Sequence, residues 1–116
     1  MANILCIGID DASMAAKQST LQSAGHTVSL AKDVKQVIAA CSGIRFDLVL
    51  IGQSLPAKEK LRVHELLQNY CPDAKIIEQH VAAPELIAAD AHFRAGQSNE
   101  DLIAIIQGLV PQRKSA

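Results

Sequence analysis

The run FDLVLI, residues 46–51, is apolar at consecutive positions after Asp47 and stops at the turn GQSLP. It is too short for a buried helix, and it leaves no polar face for water. Such a segment has to be covered on both sides, as is a central strand of a parallel sheet flanked by helices. NILCIGI at 3–9, HTVSL at 26–30 and AKIIE at 74–78 have a similar character, and AHFR at 91–94 is a weaker fifth run.

Helical patterns lie between these runs. Residues 13–24 carry a thin apolar face of Met14, Ala15, Leu21 and Ala24, with Asp10, Asp11 or Ser13 as caps and Gly25 as the stop. Residues 33–41 place Val34, Val37, Ile38 and Cys41 on one face behind an Asp33 cap. Residues 57–70 point Leu61, Leu66, Leu67 and Tyr70 inward, and residues 84–89 allow at most two helical turns. A last helix, capped by Ser98 or Asn99, carries Leu102, Ile103, Ile105, Ile106 and Leu109. The alternation predicts an α/β, flavodoxin-like (βα)5 three-layer sandwich: a five-stranded parallel sheet of order 2-1-3-4-5 with a shortened fourth helix. In that order a site belongs at the carboxyl ends of strands one and three, here residues 8–11 and 52–54.

A chain of 116 residues makes one domain, 1–116, with 110–116 as a flexible tail. The net charge of -1 offers no clustered basic face for nucleic acid. No apolar run approaches the ~20 residues of a membrane span, and the start MANILCIGID lacks the basic region of a signal peptide. Cys6, Cys41 and Cys71 are widely spaced, odd in number and without a C-x-x-C pair, which predicts three reduced thiols in a cytoplasmic protein. His26, His64, His80 and His92 lack zinc-ligand spacing. Arg45, Lys58, Lys60 and Arg62 read as ordinary solvated charges.

The stretch AGHTVSLAKDVKQVIAACSGIRFDLVLIGQSLP, residues 24–56, resembles the receiver domain of bacterial response regulators, which typically run AGYxVxxAxDGxEAL…PDLVLLDxxMP. Ala24, Gly25, His26, Val28, Ala31, Asp33, residues 47–50, Leu55 and Pro56 fall in register without a gap, and SNEDLIAII resembles the family's SPEELLARI. Receivers transfer a phosphoryl group to an aspartate at the end of strand three. In this register that position is Gly52, which has no nucleophile. The acidic pair that holds Mg²⁺ in the family falls on Gly8 and Ile9, two residues before Asp10 and Asp11. Those two acids are weak metal candidates, and as helix caps they need no metal. The hydroxyl residue of strand four corresponds to Glu78 or Gln79. The lysine of strand five corresponds to Ala95, or to Arg94 with one inserted residue, and the aromatic switch position to His92.

The resemblance therefore implies an atypical receiver, a pseudo-receiver that is no enzyme and needs no cofactor. It would act by phosphorylation-independent binding to a signalling protein such as a histidine kinase or another regulator, or to a second copy of itself. With no effector domain following in this sequence, output is expected to pass through the partner. The expected surface contains His92, Phe93, Arg94, Asn99, Asp101 and Leu102. Two other readings stay open. A phosphocysteine carrier resembling the IIB subunits of sugar phosphotransferase systems would use Cys6. A small-ligand flavodoxin-like module would use the room at Gly8, Gly52 and Gln53.

Overall fold

The expected strands assemble into one sheet. The structure, a computed structural model, describes residues 2–86 and 88–109; the tail expected at 110–116 lies outside the described residues. The order is β1 (Asn3–Ile7), α1 (Asp11–Ser23), β2 (Thr27–Ala31), α2 (Val34–Gly43), β3 (Leu48–Ile51), α3 (Ala57–Tyr70), β4 (Lys75–His80), β5 (Ala91–Arg94) and α4 (Asn99–Leu109). All strand pairs are parallel, in the order β2-β1-β3-β4-β5.

Strand alternation divides the interior into two cores. Leu5, Ile7, Val49, Ile51 and Ile76 point to one side, where Val37 of α2 and Val63 and Leu67 of α3 cover them. Ile4, Cys6, Leu48, Leu50 and Ile77 point to the other, under Leu21 of α1 and Leu102 and Ile106 of α4. This is the three-layer sandwich that the apolar run of β3 requires. Its four residues are all buried.

The caps act as expected. Asp10 accepts the Ala12 N–H at the start of α1, and Asp33 accepts the Gln36 N–H at 2.8 Å at the start of α2. Ser98 and Asp101 exchange bonds across the first turn of α4, satisfying donors that a helix start leaves open. Only Met14 and Leu21 are buried on α1, whereas Ala15 and Ala24 face solvent.

Three expectations are corrected. The bounds of α3 are as predicted and Leu67 faces inward as expected, but the rest of its inward face differs. Lys60, Val63 and Leu67 are buried, while Leu61 is 53% and Tyr70 48% exposed. Residues 60, 63 and 67 follow the i, i+3, i+7 spacing, and Leu61 stands about 100° around the helix from Lys60. Second, the described residues between β4 and β5 form bends and a turn rather than a short helix at 84–89. The Glu85 and Leu86 N–H groups donate to the Glu78 side chain, which anchors the crossing in an irregular course. Third, Cys41 in the last turn of α2 and Cys71 at the end of α3 form a disulfide, with Cα atoms 5.9 Å apart. The two helices pack side by side on one face, so cysteines 30 residues apart in sequence become neighbours. Cys6 is free and buried.

Candidate functional site

Ile7 and Ile51 are partners in the β1–β3 ladder, so Gly8 and Gly52 lie side by side at the carboxyl ends of the two central strands. The strands stay close here. The Gly52 N–H donates to the Ile7 carbonyl at 2.7 Å, and the Gly8 N–H donates to Ala31 at 3.1 Å. A β-carbon on Gly52 would stand 2.9 Å from that Ile7 oxygen, which belongs to backbone and cannot turn aside. On Gly8 it would meet Ser54 Oγ at 3.2 Å and Met14 Cγ at 3.4 Å. Neither glycine has a positive φ, so close approach to backbone rather than backbone conformation selects glycine at 52, while at 8 the Ser54 and Met14 side chains would have to give way.

The turn after β3 closes the cleft further. Ser54 Oγ accepts the Ile9 N–H at 3.0 Å, tying the β3–α3 turn to the β1–α1 turn. What remains is a cavity of ≈ 20 Å³, lined among others by Cys6, Met14, Lys17, Gln53 and Gln79. No carboxylate lines it among the described residues. Gln53 Oε1 and Gln79 Oε1 are buried without a hydrogen-bond partner among the described residues. Burial holds the Lys17 ammonium below its ordinary value, against the opposing influence of Cys6 and Asp10. Sequence reasoning missed Lys17, and placed Ser54 at the strand end without its bond to Ile9.

Asp10 and Asp11 stand outside the cavity. Asp10 accepts the Ser13 hydroxyl at 2.9 Å and the Ala12 N–H at 3.2 Å, one on each carboxylate oxygen. Asp11 is exposed and pairs with Lys32. Magnesium demands several hard oxygen ligands in near-octahedral array. No group of three His, Cys, Asp or Glu among the described residues is placed to hold a metal. The residues at this cleft do not fit a magnesium ion, and Asp10 and Asp11 serve the start of α1 and an ion pair instead.

Cys6 lies mid-strand and is 2% exposed. Burial pushes its thiol up to about 12, against the lowering influence of Lys17. Thiolate is the nucleophilic form, and at neutral pH this site holds almost none.

A second polar group sits where β4 ends. Lys60, read from sequence as solvated, is 1% exposed. Its Nζ donates to Glu78 Oε2 at 2.9 Å, to the Gln79 carbonyl at 3.0 Å and to Glu85 Oε1 at 2.9 Å. Glu78 also accepts the N–H groups of Glu85 and Leu86, so both carboxylate oxygens are occupied. Burial alone would raise the Glu78 carboxyl. Lys60 and the two N–H groups outweigh it and hold the acid below its ordinary value. His92 Nε2 lies 2.9 Å from the Leu86 carbonyl and 3.4 Å from Glu78 Oε1. An acid directly after the two isoleucines of KIIEQH was the available signal, because burying it unpaired costs several kcal/mol and calls for a cation.

The remaining expected residues divide. Phe93 and Leu102 are buried in the core under α1 and α4, because β5 and α4 turn these apolar side chains inward. They are therefore corrected from surface to core. Arg94, Asn99 and Asp101 are exposed, and His92 is partly so. Arg94 and Ala95 line a shallow groove with Gly96 and Gln97, and neither lines the cleft at Gly52.

No family model and no curated relative matches the chain. Solved structures do. The Vibrio cholerae chemotaxis protein CheY4 aligns with a TM-score of 0.84 at 18% identity, over 95% of this chain and 99% of that one. A CheY-like response regulator receiver domain protein from Methanospirillum hungatei aligns at 0.81 with 23% identity, over 93% and 92%. The Thermotoga maritima response regulator TrrA, solved in complex with the histidine kinase ThkA, aligns at 0.81 with 20% identity, over 96% and 100%. The chain has the CheY-like receiver fold.

Proposed function

We propose that this chain is a pseudo-receiver of two-component-type signalling, one that takes up no phosphoryl group at Gly52 and acts by binding another signalling protein. The observation that carries the reading is the closed cleft. Gly52 bonds directly to Ile7, a side chain there would collide with backbone, and no carboxylate lines the cavity among the described residues. Phosphoryl transfer of the receiver type needs a carboxylate nucleophile and a metal to offset the charge that develops.

The partner we favour is a histidine kinase, by analogy with TrrA, which has this fold and is solved bound to one. The exposed part of the surface we assign to it is His92, Arg94, Asn99 and Asp101. A cytoplasmic location belongs to the same reading. No helix among the described residues is long and apolar enough to cross a membrane. The phosphocysteine alternative is disfavoured by the protonated, buried Cys6. The small-ligand alternative is disfavoured by a cavity of ≈ 20 Å³, about the room one water needs.

Intact-mass spectrometry after incubation with acetyl phosphate, with and without Mg²⁺, tests the proposal. The mass should stay unchanged under both conditions. A stable added phosphate would refute it, and its position would name the acceptor.

A further inference from the structure

We propose that the Cys41–Cys71 bond is a reversible thiol–disulfide site, opened by a dithiol reductant that attacks Cys41. The bond lies at the amino end of the sheet, beside the loops that lead into β3 and β4 and away from the Gly8–Gly52 cleft. There it forms part of the wall of an open surface cleft of ≈ 430 Å³ shared with Arg45, Phe46 and Asp73.

The two sulfurs are not equivalent. Cys41 is half-buried and Cys71 is 8% exposed. Both residues line the cleft, and Cys41 is the more exposed of the two, so attack is assigned to Cys41 with Cys71 as the leaving group. The exposed Arg45 guanidinium in the same wall is paired with Asp73 at 3.2 Å, so the two charges offset each other and leave the approach to the bond governed by access.

The step balances as ordinary exchange. A reductant thiolate forms a bond to Cys41 Sγ as the Cys41–Cys71 bond breaks, and Cys71 leaves with the electron pair and takes a proton. The reductant's second thiolate then forms its own disulfide and releases Cys41, which is protonated in turn. The protein gains two electrons and two protons, and the dithiol is oxidised.

The packing allows the opened form to stay folded. Val37 of α2 and Val63 and Leu67 of α3 belong to one buried cluster, and Cys71 is a member of it in its own right. Cys41 packs against that cluster from its edge. Opening the bond loosens the corner between α2 and α3 without removing an apolar contact from the centre.

The test uses the whole protein, a dithiothreitol series, a maleimide quench and intact-mass spectrometry. Without urea, two of the three cysteines should become alkylated. Peptide mapping should place both labels at Cys41 and Cys71 and leave Cys6 unmodified. Far-UV circular dichroism should be retained, and Tm should fall by roughly 10 °C. Oxidised glutathione should restore the bond and the original Tm. In Cys41→Ser, which has no bond to open, dithiothreitol should leave Tm unchanged. A bond that resists millimolar dithiothreitol until urea unfolds the chain would overturn the proposal. So would thiols that oxidised glutathione fails to close, or a reduced form that has lost its helical signal.

Discussion

Replacing Lys60 by methionine keeps most of the side chain's length and removes its charge. In the native chain Lys60 and Glu78 are 1% and 0% exposed, and the ammonium serves Glu78, Gln79 and Glu85 together. Removing one partner of a buried pair leaves the other charged in a dry site, at a cost of about 3–5 kcal/mol. That is a large part of the ~5–15 kcal/mol that holds a domain of this kind together.

The sign of the pH dependence gives a second check. In the native protein the Glu78 carboxyl lies below its ordinary value of 4.5, because Lys60 and two backbone N–H groups outweigh burial. A depressed folded value contributes stability above 4.5, and that contribution is lost as pH falls through the folded value. Lys60→Met raises the folded value relative to the native protein. The deficit should therefore be full at neutral pH and should shrink as Glu78 becomes protonated in acid. Urea unfolding followed by circular dichroism, at neutral pH and in the lower carboxylate range, measures both quantities. Adding Glu78→Gln, which keeps an acceptor for Glu85 and Leu86, should recover most of the loss. A deficit under ~1 kcal/mol, the value of an exposed pair, and equal at both pH values would refute the reasoning.

The other predictions concern the cleft and a helix cap. Gly52→Asp should destabilise the fold by about 1–3 kcal/mol, because its β-carbon would stand 2.9 Å from the Ile7 carbonyl. It should also show no Mg²⁺-dependent mass gain with acetyl phosphate; urea unfolding and intact mass check the two parts. Asp33→Ala removes the 2.8 Å cap on the Gln36 N–H and should lower stability by about 1 kcal/mol, read as a lower urea midpoint.

The sheet was legible because its signals are local. Consecutive apolar residues in LVLI leave no alternative to a doubly covered strand, and Asp33 announces the start of α2 within one turn. What escaped notice depends on where one element meets another. Nothing in AKEKLRVHELLQNY marks Lys60 as inward, because its partner Glu78 lies 18 residues away on β4. The same holds for Cys41 and Cys71, which meet only once α2 and α3 share a face. Phe93 and Leu102 were placed on a surface by position within the family pattern, although their apolar character argued for the core. At the cleft, sequence placed Gly52 at the end of the central strand, but the closeness of β1 and β3 that demands glycine there emerges only from the assembled ladder.

The anchoring of the β4–β5 crossing bears on how this region opens. Its Glu85 and Leu86 amides belong to no helix or strand, yet both are held by the carboxylate of Glu78, whose own charge is fixed by Lys60. In native-state hydrogen exchange these amides should behave as one unit with the buried ion pair, protected well beyond their irregular setting and released together. A helix frays residue by residue from its ends. Two amides that hang on one carboxylate let go together, so Glu85 and Leu86 should share a single opening step in place of graded fraying.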